Sequence, residues 1–423
     1  MTLDLFYRVL QEFALIYPLF MAYLWMVGGI YYLFHWERAG HARVDRPPPL
    51  PEYPGVSVLV PAHNESFAIV ETIRSLQNLK YPEYEIIVIN DGSTDDTAEI
   101  LDELAEEGGI RVIHLASNQG KAAALRVGAM ASNHEFLVCI DGDAILDCHA
   151  VHWIMRHFLI GPRVGAVTGN PRVRNRSTLL GKIQVAEFSS IIGLIKRAQR
   201  IYGRLFTVSG VVSAFRKTAL YRVGFWDLTK LTDDIDISWR LQKDHWAVRF
   251  ESNAVCWILM PETIKGLWRQ RLRWAQGGVE VALDHGRSLL KWRQRYMWPV
   301  FVEFWLSVVW SYTMLFLGVS LVVAQVTDAP DLPRFEEWLP SWGGALIGVT
   351  CLLQFAVSLV IDSRYERGLA KMYYWIIWYP LAYWLINVLT TIVAVPRALM
   401  KRREERAVWT SPDRGEQFHA AAD

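Results

Sequence analysis

Cysteine is scarce. The 423 residues hold four, Cys139, Cys148, Cys256 and Cys351, far apart and never as CxxC. That argues against a disulfide framework or a thiolate zinc site. Net charge is also missing: 44 Lys+Arg meet 43 Asp+Glu, a formal +1, which excludes a strongly basic nucleic-acid binder. Charged residues make up 21% against 52% apolar, too apolar a balance for a disordered chain. No GxxxxGK(S/T) occurs and no GxGxxG follows the first predicted strand, which disfavours P-loop ATPases and dinucleotide oxidoreductases.

Four stretches lack charge altogether: 13–34, 304–326, 341–361 and 372–396. Each is long enough to cross about 30 Å of hydrocarbon, and core helices rarely run so far without a charge. The first has no basic N-region and no small-residue cleavage site, so it does not read as a signal peptide. The pattern predicts an integral membrane protein. Only Arg8 precedes the first stretch, whereas Arg38, Arg43 and Arg46 follow it. The acidic segment 327–340 reads as external, and 362–371, with Arg364, Arg367 and Lys371, as internal. The N-terminus is then expected outside and the large middle segment in the cytosol. A fourth full crossing would put Arg397, Lys401, Arg402, Arg403 and Arg406 outside, against the rule. Pro380 interrupts an aromatic run (Tyr373, Tyr374, Trp375, Trp378, Tyr379, Tyr383, Trp384), so a re-entrant or interfacial course stays open.

The chain divides into a first helix and juxtamembrane segment (1–46), an α/β domain (47–262), basic amphipathic helices (263–303), a C-terminal membrane region (304–396) and a basic tail (397–423). Pro47, Pro48, Pro49, Pro51 and Pro54 form a stiff spacer. Short β-branched runs then alternate with helical stretches: 56–60 with 66–79, 85–89 with 95–106, 111–114 with 120–130, 136–140 with 150–158. That alternation predicts a mostly parallel, Rossmann-like sheet with right-handed crossovers. Asn64-Glu65-Ser66 and Ser93-Thr94-Asp95 read as helix starts.

Carboxylates fall at strand ends, where a doubly wound sheet opens its ligand crevice. Asn90-Asp91-Gly92 ends the second strand and Asp141-Gly142-Asp143 the fourth, with Lys121 in between. Asp141 and Asp143 could present oxygens to one Mg²⁺ or Mn²⁺ on a diphosphate, or form an ordinary turn. Asp91 and Glu65 could accept from a nucleobase or ribose, or cap helices. Thr232-Asp233-Asp234-Ile235-Asp236 opens a helix: the acids suit its first turn, and crowding would also favour one as a proton acceptor. Asp236, two positions on, points away from Asp234. Between 264 and 298 Trp and Arg alternate, as an interfacial helix would. For Gln270–Trp274 a second role is open, because Trp stacks on sugars and Arg forks bind diphosphate.

Jointly these residues resemble the processive family 2 glycosyltransferases, the synthases of cellulose, chitin and hyaluronan and their relatives. The resemblance rests on Val60-Pro61-Ala62-His63-Asn64-Glu65, Asn90-Asp91-Gly92-Ser93, Asp141-Gly142-Asp143, Thr232-Asp233-Asp234 and Gln270-Arg271-Leu272-Arg273-Trp274. It is strongest to the branch that makes β-1,6-linked N-acetylglucosamine exopolysaccharide for biofilms, through 169–174, 184–200, 207–215 and 256–278. The resemblance implies a GT-A-type domain at the bacterial inner membrane, using UDP-N-acetylglucosamine, a Mg²⁺ or Mn²⁺ ion and a growing polysaccharide acceptor. It implies that Glu65 and Asp91 bind the uridine, that Pro61 belongs to the same donor site, that Lys121 and Asp141 contact the nucleotide, and that Asp143 holds the metal. It further implies Asp234 as the base and Gln270, Arg273 and Trp274 as the acceptor and diphosphate site.

Two departures stand out: Asp233 replaces the family's middle Glu, and one N-terminal span stands where better-known relatives have two. No cyclic-di-GMP-binding extension follows the last span, so such control is expected through a small two-helix membrane subunit. Alternatives are a non-processive transferase acting on a polyprenyl phosphate, another β-polysaccharide synthase, or a catalytically silent membrane scaffold.

Overall fold

A computed structural model describes residues 3–38, 44–327, 342–377 and 379–401. The chain starts with helix α1 (Leu3–Tyr32), which continues through one π-helical stretch, Leu33–Glu37. The helix begins earlier than the charge-free window because Asp4 and Arg8, one turn apart, pair on its surface.

The α/β domain follows as β1 (Val56–Ala62), α2 (Ile69–Gln77), β2 (Tyr84–Asp91), α3 (Thr97–Glu107), β3 (Arg111–Leu115), α4 (Lys121–Ala131) and β4 (Phe136–Ile140). Then come β5 (Ile145–Leu146), α5 (Ala150–Ile160), β6 (Val164–Val173), α6 (Leu179–Phe188), α7 (Ile195–Ile201), β7 (Val212–Arg216), α8 (Lys217–Val223), α9 (Asp233–Lys243) and β8 (Ala247–Ile258). All seven residues of β1 are buried, because helices cover both faces of the sheet. Val56, Val58 and Val60 face one apolar cluster, with Ile73 and Leu76 of α2; Leu59 faces the other, with Ala124 and Leu125 of α4. The buried residues of α2, Ile69, Thr72, Ile73 and Leu76, trace one helical stripe.

The eight strands form one sheet in the order β3-β2-β1-β4-β7-β6-β8-β5. β1–β2, β1–β4, β2–β3 and β6–β8 are parallel; β4–β7, β6–β7 and β5–β8 are antiparallel. The expected mostly parallel sheet is borne out. The chain leaves β1 towards β2 on one side and later fills β4 on the other. The switch point therefore lies between β1 and β4, and the crevice opens at their carboxyl ends.

Beyond the sheet, α10 (Ile264–Leu289) and a short 3₁₀ turn, Trp292–Met297, lead into α11 (Trp298–Thr327). Next come α12 (Trp342–Asp362), a 3₁₀ segment Leu369–Ile376 and α13 (Tyr379–Met400). Leu3–Glu37, Trp292–Thr327, Trp342–Asp362 and Ala382–Met400 are long and apolar enough to cross a membrane. The acidic segment expected outside lies almost wholly beyond the described residues, as do Arg43, Trp378 and the tail from Arg402.

The fourth stretch splits, its first part forming the 3₁₀ segment and the rest α13. Tyr383, near the start of α13, lies within electrostatic reach of Glu187 and Arg271. Lys401, just past its end, bonds the Thr229 carbonyl at 3.0 Å and Glu280 at 2.9 Å. Arg271 and Glu280 are both on α10, so both ends of α13 meet the same helix. Lys401 thus sits against the α/β domain, in keeping with the re-entrant or interfacial alternative.

A buried ionic cluster joins domain and membrane helices. Arg197 of α7 donates from Nε to Glu37 at 2.7 Å and lies 2.9 Å from Asp362, at the end of α12. Asp362 also pairs with Arg172 of β6, and Glu366 pairs with Arg172 and Arg176.

Candidate active site

The loops after β1 and β2 are cross-linked to each other. Asn64 donates its backbone N–H to Ser93 Oγ and accepts from Thr94 N–H; Ser66 N–H reaches Asp95. Asn64 and Ser66 thus bond across loops and α2 starts later with no side-chain cap, whereas Asp95 also accepts the N–H of Thr97, the first residue of α3, at 3.2 Å. Gly92 adopts φ +61°, and a Cβ there would meet the Ser117 backbone at 2.4 Å. Only glycine lets the third loop come this close.

Asp91 is fully buried, and its two carboxylate oxygens accept the backbone N–H groups of Gln119 (2.8 Å) and Gly120 (2.7 Å). Asp91 thereby shapes the loop that opens α4. His63 Nδ1 lies 2.9 Å from the Asp91 carbonyl, so it carries the proton; Nε2 then accepts from the Asn118 amide, also at 2.9 Å. Glu65 is fully buried as well. A Cβ on Gly142 would stand 3.3 Å from the Pro61 carbonyl and 3.4 Å from Glu65, so the ends of β1 and β4 abut.

Lys121, at the start of α4, pairs with Asp141 and donates to the Gly210 carbonyl at 2.8 Å. Burial pulls its ammonium down, but Asp141 and Asp233 outweigh that, and the net shift is upward. Gly210 in turn lies against Asp234: a Cβ there would meet its Oδ2 at 3.4 Å. Asp233 and Asp234 sit at the head of α9, partly buried at the crevice rim. Burial raises Asp233 to about 6, with Asp234 and Asp141 adding to it and Lys121 and Arg273 opposing. Burial likewise raises Asp234, against Lys121, Arg273, the Ile235 N–H and Lys196. Asp236 points away as expected, bonded to Arg240 at 2.7 Å and His285 at 2.9 Å.

The helix α10 closes the crevice against α9. Gly277 is the contact: a Cβ there would meet Thr232 Oγ1 at 2.3 Å and its Cβ at 2.8 Å. Arg273 is exposed and within electrostatic reach of Asp233 and Asp234. The Gln270 side-chain oxygen is buried without a hydrogen-bond partner among the described residues. Trp274, one turn on, packs 6.5 Å from Phe188.

Lys121, Asp141, Asp233, Asp234 and Arg273 are thus brought together, and Pro61, Glu65 and Asp91 are buried nearby, where the ends of β1, β2 and β4 meet. Gln270 and Trp274 occupy the α10 side. Sequence reasoning assigned no role to Gly210 or Lys196. Lys196 is buried, donates to Thr168 Oγ1 at 3.2 Å, and is brought down to about 7 by burial against the pull of Asp234. Its stretch reads as an ordinary basic helix turn, so no local signal marks it.

No three His, Cys, Asp or Glu side chains converge among the described residues. Asp141 and Asp143, both buried on the turn after β4, are the available donors. So few protein ligands suit a hard divalent ion that takes most of its oxygens from a diphosphate and water.

Comparison with known proteins identifies the family and the fold. Residues 54–277 match the family described as Glycosyltransferase like family 2. The chain is 40% identical over 405 residues to a poly-β-1,6-N-acetyl-D-glucosamine synthase of Staphylococcus epidermidis, covering 96% of this chain and 98% of that protein. A Staphylococcus aureus protein of the same name is 40% identical over 407 residues, with the same coverage. Among solved structures, a mannosyltransferase from Pyrobaculum calidifontis in complex with GDP-Man and Mn²⁺ superposes with TM-score 0.64 at 19% identity. It covers 94% of this chain and 99% of its own, and establishes the GT-A fold. With the family matched across the sheet domain and the relatives matched from end to end, the chain belongs to glycosyltransferase family 2.

Proposed function

We propose that the protein is a membrane-embedded, processive, inverting transferase that polymerises N-acetylglucosamine from UDP-N-acetylglucosamine into a β-1,6-linked exopolysaccharide. One observation carries this reading: the 40% identity extends over 96% of the chain, membrane helices included, rather than over the sheet domain alone. The sheet domain would face the cytosol, and the polymer would leave across the bacterial inner membrane beside the membrane helices. Regulation would come through a small two-helix membrane subunit that responds to cyclic-di-GMP.

Uridine would be held by Pro61, Glu65 and Asp91, at the carboxyl ends of β1 and β2. The Lys121 ammonium, already against Asp141, would lie at the diphosphate. Asp143, with Asp141 beside it, would hold a Mg²⁺ or Mn²⁺ ion, which when bound stabilises the diphosphate leaving group. Asp234 takes the proton from the acceptor's 6-hydroxyl, whose oxygen displaces UDP at the anomeric carbon in one in-line step, turning an α-linked donor into a β-linked product. No general acid is needed, since the leaving group is already activated, unlike glycoside hydrolysis with its paired carboxylates. Trp274 and Gln270 would seat the acceptor sugar, and Arg273 would balance charge at the aspartates.

The test is donor screening on purified membranes, with linkage-specific digestion of the product. Long, ethanol-insoluble polymer made from UDP-N-acetylglucosamine and cut by a β-1,6-specific hexosaminidase is the expected result; a single-sugar lipid product would overturn it. Because Asp234 works only as the carboxylate and burial raises it, turnover should rise with pH through a limb displaced above the usual carboxylate range. Asp233→Asn removes an adjacent negative charge, so it should move this acid limb to lower pH. A pH–kcat profile reads both; a limb near 4 in the parent enzyme would contradict the assignment.

A further inference from the structure

The two arginines of the Gln270–Trp274 stretch point in opposite directions. Arg273 is exposed on the crevice side, beside Asp233 and Asp234. Arg271 turns back into the protein. It is 7% exposed, its Nη2 lies 2.9 Å from Glu187 Oε1 on α6, and the Glu187 side chain is 1% exposed. Its guanidinium carbon stands 4.4 Å from the centroid of the Trp274 ring. Phe188, the neighbour of Glu187, meets the same ring at 6.5 Å and 57°. One end of α6 thus forms a seat for Trp274, with Arg271 clamped between carboxylate and indole.

A buried ion pair is a poor way to gain stability, because desolvating both charges offsets their attraction, and apolar side chains of like volume would serve as well. A planar cation on an aromatic face does something apolar packing does not: it fixes the orientation of the ring. Stacking of a sugar on tryptophan requires a defined ring plane, and small displacements of a binding group cost rate steeply.

We propose that Glu187 and Arg271 are positioning residues that lock the plane of Trp274 for the acceptor sugar. This rests on the proposed role of Trp274 as the acceptor platform. Neither residue touches substrate; both act through the indole.

The experiment uses the full-length protein in membranes, with UDP-N-acetylglucosamine and a β-1,6-linked N-acetylglucosamine oligosaccharide as acceptor. Arg271→Met should raise the acceptor KM about tenfold and shorten the product, with the donor KM within twofold. Arg271→Lys keeps a charge for Glu187 but not the flat face, and should fall between parent and methionine variant. Acceptor KM and chain length unchanged in Arg271→Met, or donor and acceptor KM rising together, would overturn the proposal. If the methionine variant fails to fold, the lysine variant decides: a raised acceptor KM alone supports the clamp, and parental values reject it. Trp274→Ala separates the levels. Indifference there removes the platform itself, whereas a Trp274-sensitive but Arg271-indifferent enzyme removes only the clamp.

Discussion

Asp234→Asn should lower polymer synthesis by about 10²–10⁴-fold, the usual range for loss of a general base, while donor binding stays within about twofold. The substitution is nearly isosteric. The amide oxygen can still accept the Ile235 N–H now held at 2.9 Å by the carboxylate, so the head of α9 keeps its shape. The Asp234 carbonyl keeps its bond from Ser238 Oγ at 2.6 Å, and that hydroxyl still accepts the Val208 N–H at 2.8 Å. What disappears is the proton acceptor, and Lys121, paired with Asp141 and carrying a charge, cannot replace it. UDP release and polymer yield read the loss; titration of membranes with UDP-N-acetylglucosamine reads binding. A variant that polymerises at the parent rate would move the base elsewhere, with Asp233 the nearest candidate.

Most parts of the fold that could be read in advance share one physical property. Strands β1, β2 and β4 are buried on both faces for most of their length, so each carries a short apolar run and was legible; the edge strand β3 is partly exposed and was legible from its place in the strand–helix alternation. β6 and β8 were not. β6 contains Gly165, Gly169 and Pro171, and its pairing with β8 shifts register between Val164 and Ala166 and between Thr168 and Asn170. β8 carries buried Glu251, Ser252 and Asn253, residues that locally resemble a loop. The crevice residues were legible because turn chemistry puts Asp91 and Asp141 at strand ends. The second layer was not: Lys196 beneath Thr168 and Arg271 behind Trp274 lie on basic helix faces that look solvated. Only tertiary packing hides them, through partners distant in sequence such as Glu187.

The same blindness applies to the ionic cluster at the membrane boundary, where the second large effect is expected. Arg197 and Glu37 are 160 residues apart, and nothing local predicts their pairing. The cluster holds Arg172, Arg176 and Arg197 against Glu37, Asp362 and Glu366, three of each sign, so it is neutral as it stands. Asp362 is the member that Arg172 and Arg197 share, and all three side chains are at most 3% exposed. Asp362→Ala leaves Arg197 to Glu37 and Arg172 to the more distant Glu366, so the buried cluster carries one uncompensated positive charge, and breaking such a buried pair costs about 3–5 kcal/mol. The bidentate pair of Arg174 with Glu71, at 2.7 and 2.8 Å, is the control: it is well exposed at 37% and 53%. Removing it with Arg174→Ala should cost about 0–1 kcal/mol, since solvent screens it. Thermal unfolding of the detergent-solubilised protein compares the two. A large drop in midpoint for Asp362→Ala beside a negligible one for Arg174→Ala is expected, with less folded protein reaching the membrane. Equal, small shifts would mean that water or rearranged side chains satisfy the arginines. In that case the first and third membrane helices would be held to the catalytic domain by apolar packing and neutral hydrogen bonds, such as Tyr32 to the Phe250 carbonyl and Gln354 to Ser190.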